Sequence, residues 1–191
     1  MVETESDPFA SLEEPEKPAP FALGFDKSSG DALVYGAILL GVILAAVGLF
    51  SGQYLIMAGA LFPLAIAFWH YPMIDRGVPQ IGANNDGLFV ERIGFVDWGA
   101  ISGIELVRTS VRTIRLARLK VSLTRPLEDA IVKPERFPIW KRFMMRNWSS
   151  RRREDGTDVL TIELHPLTND PDTVLARLIA FRPSAKRTSR H

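Results

Sequence analysis

Residues 32–71 read ALVYGAILLGVILAAVGLFSGQYLIMAGALFPLAIAFWHY, a stretch without a single Asp, Glu, Lys or Arg. It is too long for a strand or an ordinary core helix. At about 1.5 Å rise per residue, Ala32–Phe50 covers roughly 28 Å, close to the thickness of a bilayer's hydrocarbon core. Tyr54–Tyr71 is nearly as long, and only Ser51-Gly52-Gln53 separates the two. Backbone groups in lipid must be satisfied within their own segment, so two helices are expected. The connector is too short to let the second helix do anything but turn back. Both ends of the hairpin therefore lie on one side.

Charge is distributed unevenly around this neutral centre. Residues 1–31 carry eight acids and two lysines, whereas residues 72–191 carry 21 Lys/Arg against 14 Asp/Glu. The turn at residues 51–53 is uncharged and Arg76 follows the second helix. Under the positive-inside rule both soluble parts are then cytoplasmic, which makes the chain a multi-pass protein of the cytoplasmic (inner) membrane. With no ionisable group inside the span, no ion or proton path is expected. Trp69, His70 and Tyr71 fall where an interfacial aromatic belt belongs. Ala37, Gly41 and Ala45 form a small-residue face suited to close helix packing, opposite Ala60, Pro63 and Ala67.

The flanks divide the chain further. Residues 1–30, rich in Pro, Glu, Ala and Ser, are expected to be a disordered acidic tail. Phe21, Leu23 and Phe25 are its candidate partner anchor, although a simple solvated leader is favoured. Ser29 or Asp31 is the expected N-cap of the first helix. The hairpin occupies 31–72, with helices at 32–50 and 54–71. A cytoplasmic β domain occupies 76–182, with a basic aromatic insertion at 126–158, and 183–191 is expected to be disordered.

In the domain the pattern changes to period two. Asn84-Asn85-Asp86-Gly87 predicts a hairpin turn between strands in 78–83 and 88–92. Further strands are predicted at 95–98 and 104–109. Ala117, Leu119, Val121 and Leu123 alternate with polar residues, as do Leu160, Ile162 and Leu164 after an Asp155-Gly156 turn. Asp170-Pro171 then starts a closing helix with Val174, Leu175, Leu178 and Phe181 on one face. The expected fold is α+β: a two-helix transmembrane hairpin, then a small antiparallel β-barrel or sandwich with a C-terminal helix. Residues 81–106, IGANNDGLFVERIGFVDWGAISGIEL, resemble the start of bacterial pleckstrin-homology-like domains through Asp86, Gly87, Gly94, Val96, Trp98, Ile101 and Ile104. The resemblance implies that fold, whereas the expected role as a lipid- or protein-binding module rests on the hairpin and the basic aromatic insertion. The resemblance offers no catalytic residues.

The insertion departs from that pattern. Residues 133–153 hold eight Lys/Arg and one acid, interleaved with aromatics. On a helix starting at Pro138, Trp140, Phe143, Met144 and Trp148 share one face, flanked by Lys141, Arg142 and Arg146. With Arg151, Arg152 and Arg153 these make a candidate contact for anionic membrane lipid. The other reading has the aromatics closing the domain core.

Chemistry is scarce. The chain has no cysteine, no phosphate-binding Gly loop, no H-E-x-x-H and no nucleophile elbow, so no catalytic, cofactor or metal residues are assigned and a non-enzymatic role is expected. Anionic lipid is the expected partner. A protein partner, self-association, or service as an accessory subunit of a larger membrane complex are alternatives. Nucleic acid, which would use the same basic and aromatic residues, is not expected for a membrane-tethered domain.

Overall fold

A computed structural model describes residues 18–26, 30–75, 77–111 and 114–181. The expectations for residues 1–17, Ser29, Arg76 and 183–191 lie outside them.

Helix α1 runs from Asp31 to Ser51. Its N-cap is Gly30 without a side-chain cap, so Asp31 belongs to the first turn rather than capping it. Gly52 ends the helix in the left-handed region at φ 69°, and Gln53 donates back to the Gly48 carbonyl. That conformation suits glycine, which has no Cβ to clash. The return arm is broken into α2 (Tyr54–Gly59) and α3 (Leu61–His70). Pro63 has no N–H to offer the Gly59 carbonyl, which accounts for the break at Ala60. A 3-10 turn, Tyr71–Met73, follows. The two stretches Asp31–Ser51 and Tyr54–Met73 are long and apolar enough to cross a membrane.

The buried stripe of α1 is Val34, Gly41 and Gly48. Ala37 and Ala45 are only partly buried, while Ala60, Pro63 and Ala67 are buried on the return arm. A Cβ at Gly41 would meet the Leu64 side chain at 2.7 Å, and one at Gly48 would meet the Met57 backbone nitrogen at 2.4 Å. Gly48 is therefore a tighter approach than Gly41 and lies one heptad beyond it.

Two antiparallel sheets make the rest. The first has order β1-β2-β3-β4-β7, comprising Phe21–Leu23, Ile81–Asn84, Gly87–Val90, Gly94–Val96 and Ile131–Pro134. The second has order β5-β6-β9-β8, comprising Ile101–Val111, Ile114–Leu123, Asp158–Glu163 and Trp148–Arg152. Neither sheet closes into a barrel, so the barrel alternative is corrected to two sheets sharing one core. Helix α4 (Leu127–Ala130) lies between β6 and β7. Helix α5 (Pro171–Phe181) supplies Val174, Leu178 and Phe181 to the core, and its Phe181 ring stacks on Trp98. Asp170 caps it by accepting from the Asp172 and Thr173 amides.

Sequence and structure agree closely at the β2–β3 turn. Asn84 pairs with Gly87 across the ladder, and its Oδ1 accepts from the Asp86 and Gly87 amides. At Gly94, φ is 98° and a Cβ would lie 2.0 Å from the Lys133 carbonyl, so only glycine lets β7 pair with β4 there.

Three expectations need correction. The tail is not free through residue 30: Phe21–Leu23 pairs with β2, and Asp26 donates to the Pro166 carbonyl. Its Phe21 and Leu23 are buried in the domain core and are not a partner anchor. Residues 138–148 are not one amphipathic helix. A short 3-10 turn, Ile139–Phe143, is followed by extended chain into β8. The backbone is drawn out of a helix because the Met144 and Met145 carbonyls are taken by Arg92, and the Met145 amide by Trp69.

Candidate functional site

The distinctive chemistry collects where the hairpin meets the first sheet. The β3–β4 corner places Glu91 and Arg92 beneath the end of α3. Arg92 has φ 64°, uncommon for a side-chain-bearing residue, and its amide donates to Glu135 Oε2 at 2.5 Å. Its guanidinium donates to Glu91 Oε1 at 2.9 Å and to the Met144 and Met145 carbonyls at 3.0 and 2.6 Å. Both side chains are almost fully buried, at 6% and 3% exposure. The Met145 amide in turn donates to the Trp69 carbonyl at 2.9 Å, and Trp148 Nε1 to the Glu91 carbonyl at 2.7 Å. A continuous set of hydrogen bonds thus runs from the last turns of α3, through Arg92, to β8.

Two polar atoms at this corner are left over. Glu91 Oε2 and Gln80 Nε2 are buried and have no hydrogen-bond partner among the described residues. An orphaned buried polar group costs about 1–3 kcal/mol. Both residues line a small cavity with room for one water-sized group, shared with Tyr71, Asp75, Lys141 and Met144. Burial pushes the Glu91 carboxyl above its ordinary range, although the Arg92 charge and hydrogen bond pull it back. Lys141 Nζ stands 3.9 Å from Asp75 Oδ2.

Next to this cavity, and sharing Tyr71 and Met144 with it, is an apolar crevice of about 360 Å³. Val34, Ile38, Leu64 and Phe68 of the hairpin form one wall and Trp140 and Met144 the other. Outside it the 3-10 turn exposes Ile139, Trp140 and Phe143 at 72%, 46% and 65%.

The residues singled out for lipid contact therefore separate. Trp140, Lys141, Arg142 and Phe143 stand together on the turn at the hairpin's base. Trp148 packs against the core, with the Arg146 guanidinium 4.7 Å above its ring. Arg151 and Arg152 lie farther along β8, and Arg153 follows its last residue. Arg152 is seven residues from the Met145–Trp69 bond, as much as roughly 23 Å of extended chain. It also has a structural task, pairing with Asp158 at 3.2 Å and approaching Glu128 at 4.0 Å. The Leu127 amide and Arg152 hold the Asp158 carboxyl below its usual range. Arg153 donates to Ser122 Oγ at 3.2 Å. The three arginines line one side of a groove of about 750 Å³ on the outer face of the second sheet, with Lys120, Glu105 and Glu154. On an edge strand, such charges also discourage pairing with another chain.

Sequence reasoning missed Gln80, Glu91, Arg92 and Asp75, which carry no motif. A charged pair between two apolar strands, just before Gly94, was the available signal. It missed β8 as well, although the Asp155-Gly156 turn implied a strand on each side. No family model, curated protein or solved structure matches the chain, so its likeness to pleckstrin-homology-like domains rests on the 81–106 motif alone.

Proposed function

We propose that the chain is a non-enzymatic, multi-pass protein of the cytoplasmic membrane. Its hairpin is the anchor, and its pleckstrin-homology-like domain is a binding module held against anionic lipid of the cytoplasmic leaflet. The observation that carries this reading is the exposure of Ile139, Trp140 and Phe143 beside the hairpin's base, where Trp140 and Tyr71 line one crevice. Large apolar side chains clustered in the open are a liability in water, but suit the head-group layer. Exposed Arg142 and Arg146 flank them, and each cation near an anionic surface contributes about 1 kcal/mol.

The test uses the intact chain, because a fragment starting at residue 76 would lack β1. Purified in mild detergent from membranes of known composition, it should carry anionic lipid severalfold enriched over bulk. Arg142→Glu with Arg146→Glu should abolish that enrichment, while Trp140→Ala weakens it. Bound lipid that mirrors the bulk, or that ignores the charge reversal, would remove the lipid-binding reading.

The alternative role as an accessory subunit packing through Ala37, Gly41 and Ala45 is less well supported. Gly41 is buried against Leu64 of the same hairpin, which leaves that stripe little surface for another protein.

A further inference from the structure

The apolar crevice and the small polar cavity are neighbours that share Tyr71 and Met144 in their walls. We infer that this junction holds one phospholipid with a primary ammonium in its head group, acyl chain in the crevice and ammonium against Glu91. The inference rests on the membrane reading above and assigns it a specific ligand.

The polar end selects the head group. Glu91 Oε2 accepts and has no donor, and Gln80 Nε2 donates and has no acceptor, among the described residues. A ligand bringing both an N–H donor and an anionic acceptor completes both. Among the described residues nearby, the carboxylates of Glu91, Asp75 and Glu135 outnumber the cations of Arg92 and Lys141. A head group that brings an ammonium therefore fits, whereas a purely anionic head would face three carboxylates. The cavity takes one water-sized group, which admits an –NH3+ but not a trimethylammonium. The latter also has no N–H to give Glu91. Lys141, between the cavity and the exposed turn, is placed for the phosphate. The crevice lies among residues of α1 and α3 that continue into the apolar hairpin, so an acyl chain reaches it without leaving the hydrocarbon layer.

The test is native mass spectrometry of the intact chain, supplied with equal amounts of phosphatidylethanolamine, phosphatidylcholine and phosphatidylglycerol of the same acyl chains. One phosphatidylethanolamine should be retained per chain, at least tenfold over phosphatidylcholine, while phosphatidylglycerol is retained separately through the Arg142 and Arg146 surface. Glu91→Gln, which preserves shape, should erase the preference. So should Gln80→Leu, which leaves the Glu91–Arg92 pair intact and covers the case in which the first variant fails to fold. Arg142→Glu with Arg146→Glu should keep it. Equal retention of phosphatidylethanolamine and phosphatidylcholine, as expected if the cavity takes only a bridging water, overturns the inference, and a surplus of phosphatidylglycerol over both then leaves the anionic-surface reading standing. So does a preference that survives both Glu91→Gln and Gln80→Leu. A chain that washes off membranes at alkaline pH overturns both readings together.

Discussion

Replacing Gly48 with leucine is expected to force the two arms of the hairpin apart and lower the melting temperature by on the order of 10 °C. A Cβ at this position would sit 2.4 Å from the Met57 backbone nitrogen. Backbone cannot rotate away, so α2 itself must shift. At Gly41 the obstacle is the Leu64 side chain at 2.7 Å, which has other rotamers, and at Gly36 nothing lies within 4 Å. The expected order of damage is therefore Gly48→Leu, then Gly41→Leu, with Gly36→Leu nearly silent. Overpacking of a tight contact typically costs about 1–3 kcal/mol, and a backbone obstacle falls at the upper end. Tryptophan fluorescence melts of the intact chain in mild detergent read this order directly. Equal effects at all three positions would mean that α1 does not pack as described.

Arg92→Ala should be the most damaging change in the domain, costing about 3–5 kcal/mol, the range for removing one partner of a buried ion pair. Glu91 would keep its burial and lose its counter-charge, and two carbonyls at Met144 and Met145 would lose their donor. The loss should also depend on pH, and the sign follows from Glu91. Its folded-state pKa is raised from the ordinary 4.5 by burial, so the folded chain holds this proton more tightly than the unfolded one. Its contribution to stability is fully present below the ordinary value and is lost as pH rises through the raised one. Without Arg92 the carboxyl rises further. The deficit of the variant should thus be largest at neutral pH and shrink once Glu91 is neutral, below about pH 4.5. Chemical unfolding of both proteins at pH 7.5 and at pH 4 measures it. A deficit of the same size at both values would mean that Glu91 is not what Arg92 compensates.

Much of the architecture is legible in local patterns. The absence of charge from 32 to 71 marks the hairpin, Asn84–Gly87 the first β-turn, and the alternations at 117–123 and 160–164 the inner strands of the second sheet. Asp170-Pro171 and the spacing of Val174, Leu178 and Phe181 mark α5. What escapes is set by distant contacts. Strand β1 is three residues in an acidic, proline-rich tail and exists because β2 offers an edge. Strand β7 has no buried alternation, and β8 is polar because it is an edge. The helical spacing of Trp140, Phe143, Met144 and Trp148 was real but did not decide the conformation. Arg92 and Trp69, far off in sequence, take the backbone groups that a helix would have used. The Gln80–Glu91 cavity was invisible for the same reason, since only folding brings the residue before β2, the β3–β4 corner and the 139–143 turn together.

A membrane hairpin with the domain on the side opposite its turn exposes its two sides to different compartments, and the lack of cysteine in the given sequence lets single cysteines report on each. Gln53→Cys lies in the turn and Glu154→Cys on an exposed loop of the domain. Labelled with a membrane-impermeant maleimide in right-side-out vesicles, residue 53 should react at once and residue 154 only after lysis, with the protein staying in the pellet after alkaline washing. Equal labelling of both positions in sealed vesicles, or release of the chain into the wash, would contradict it.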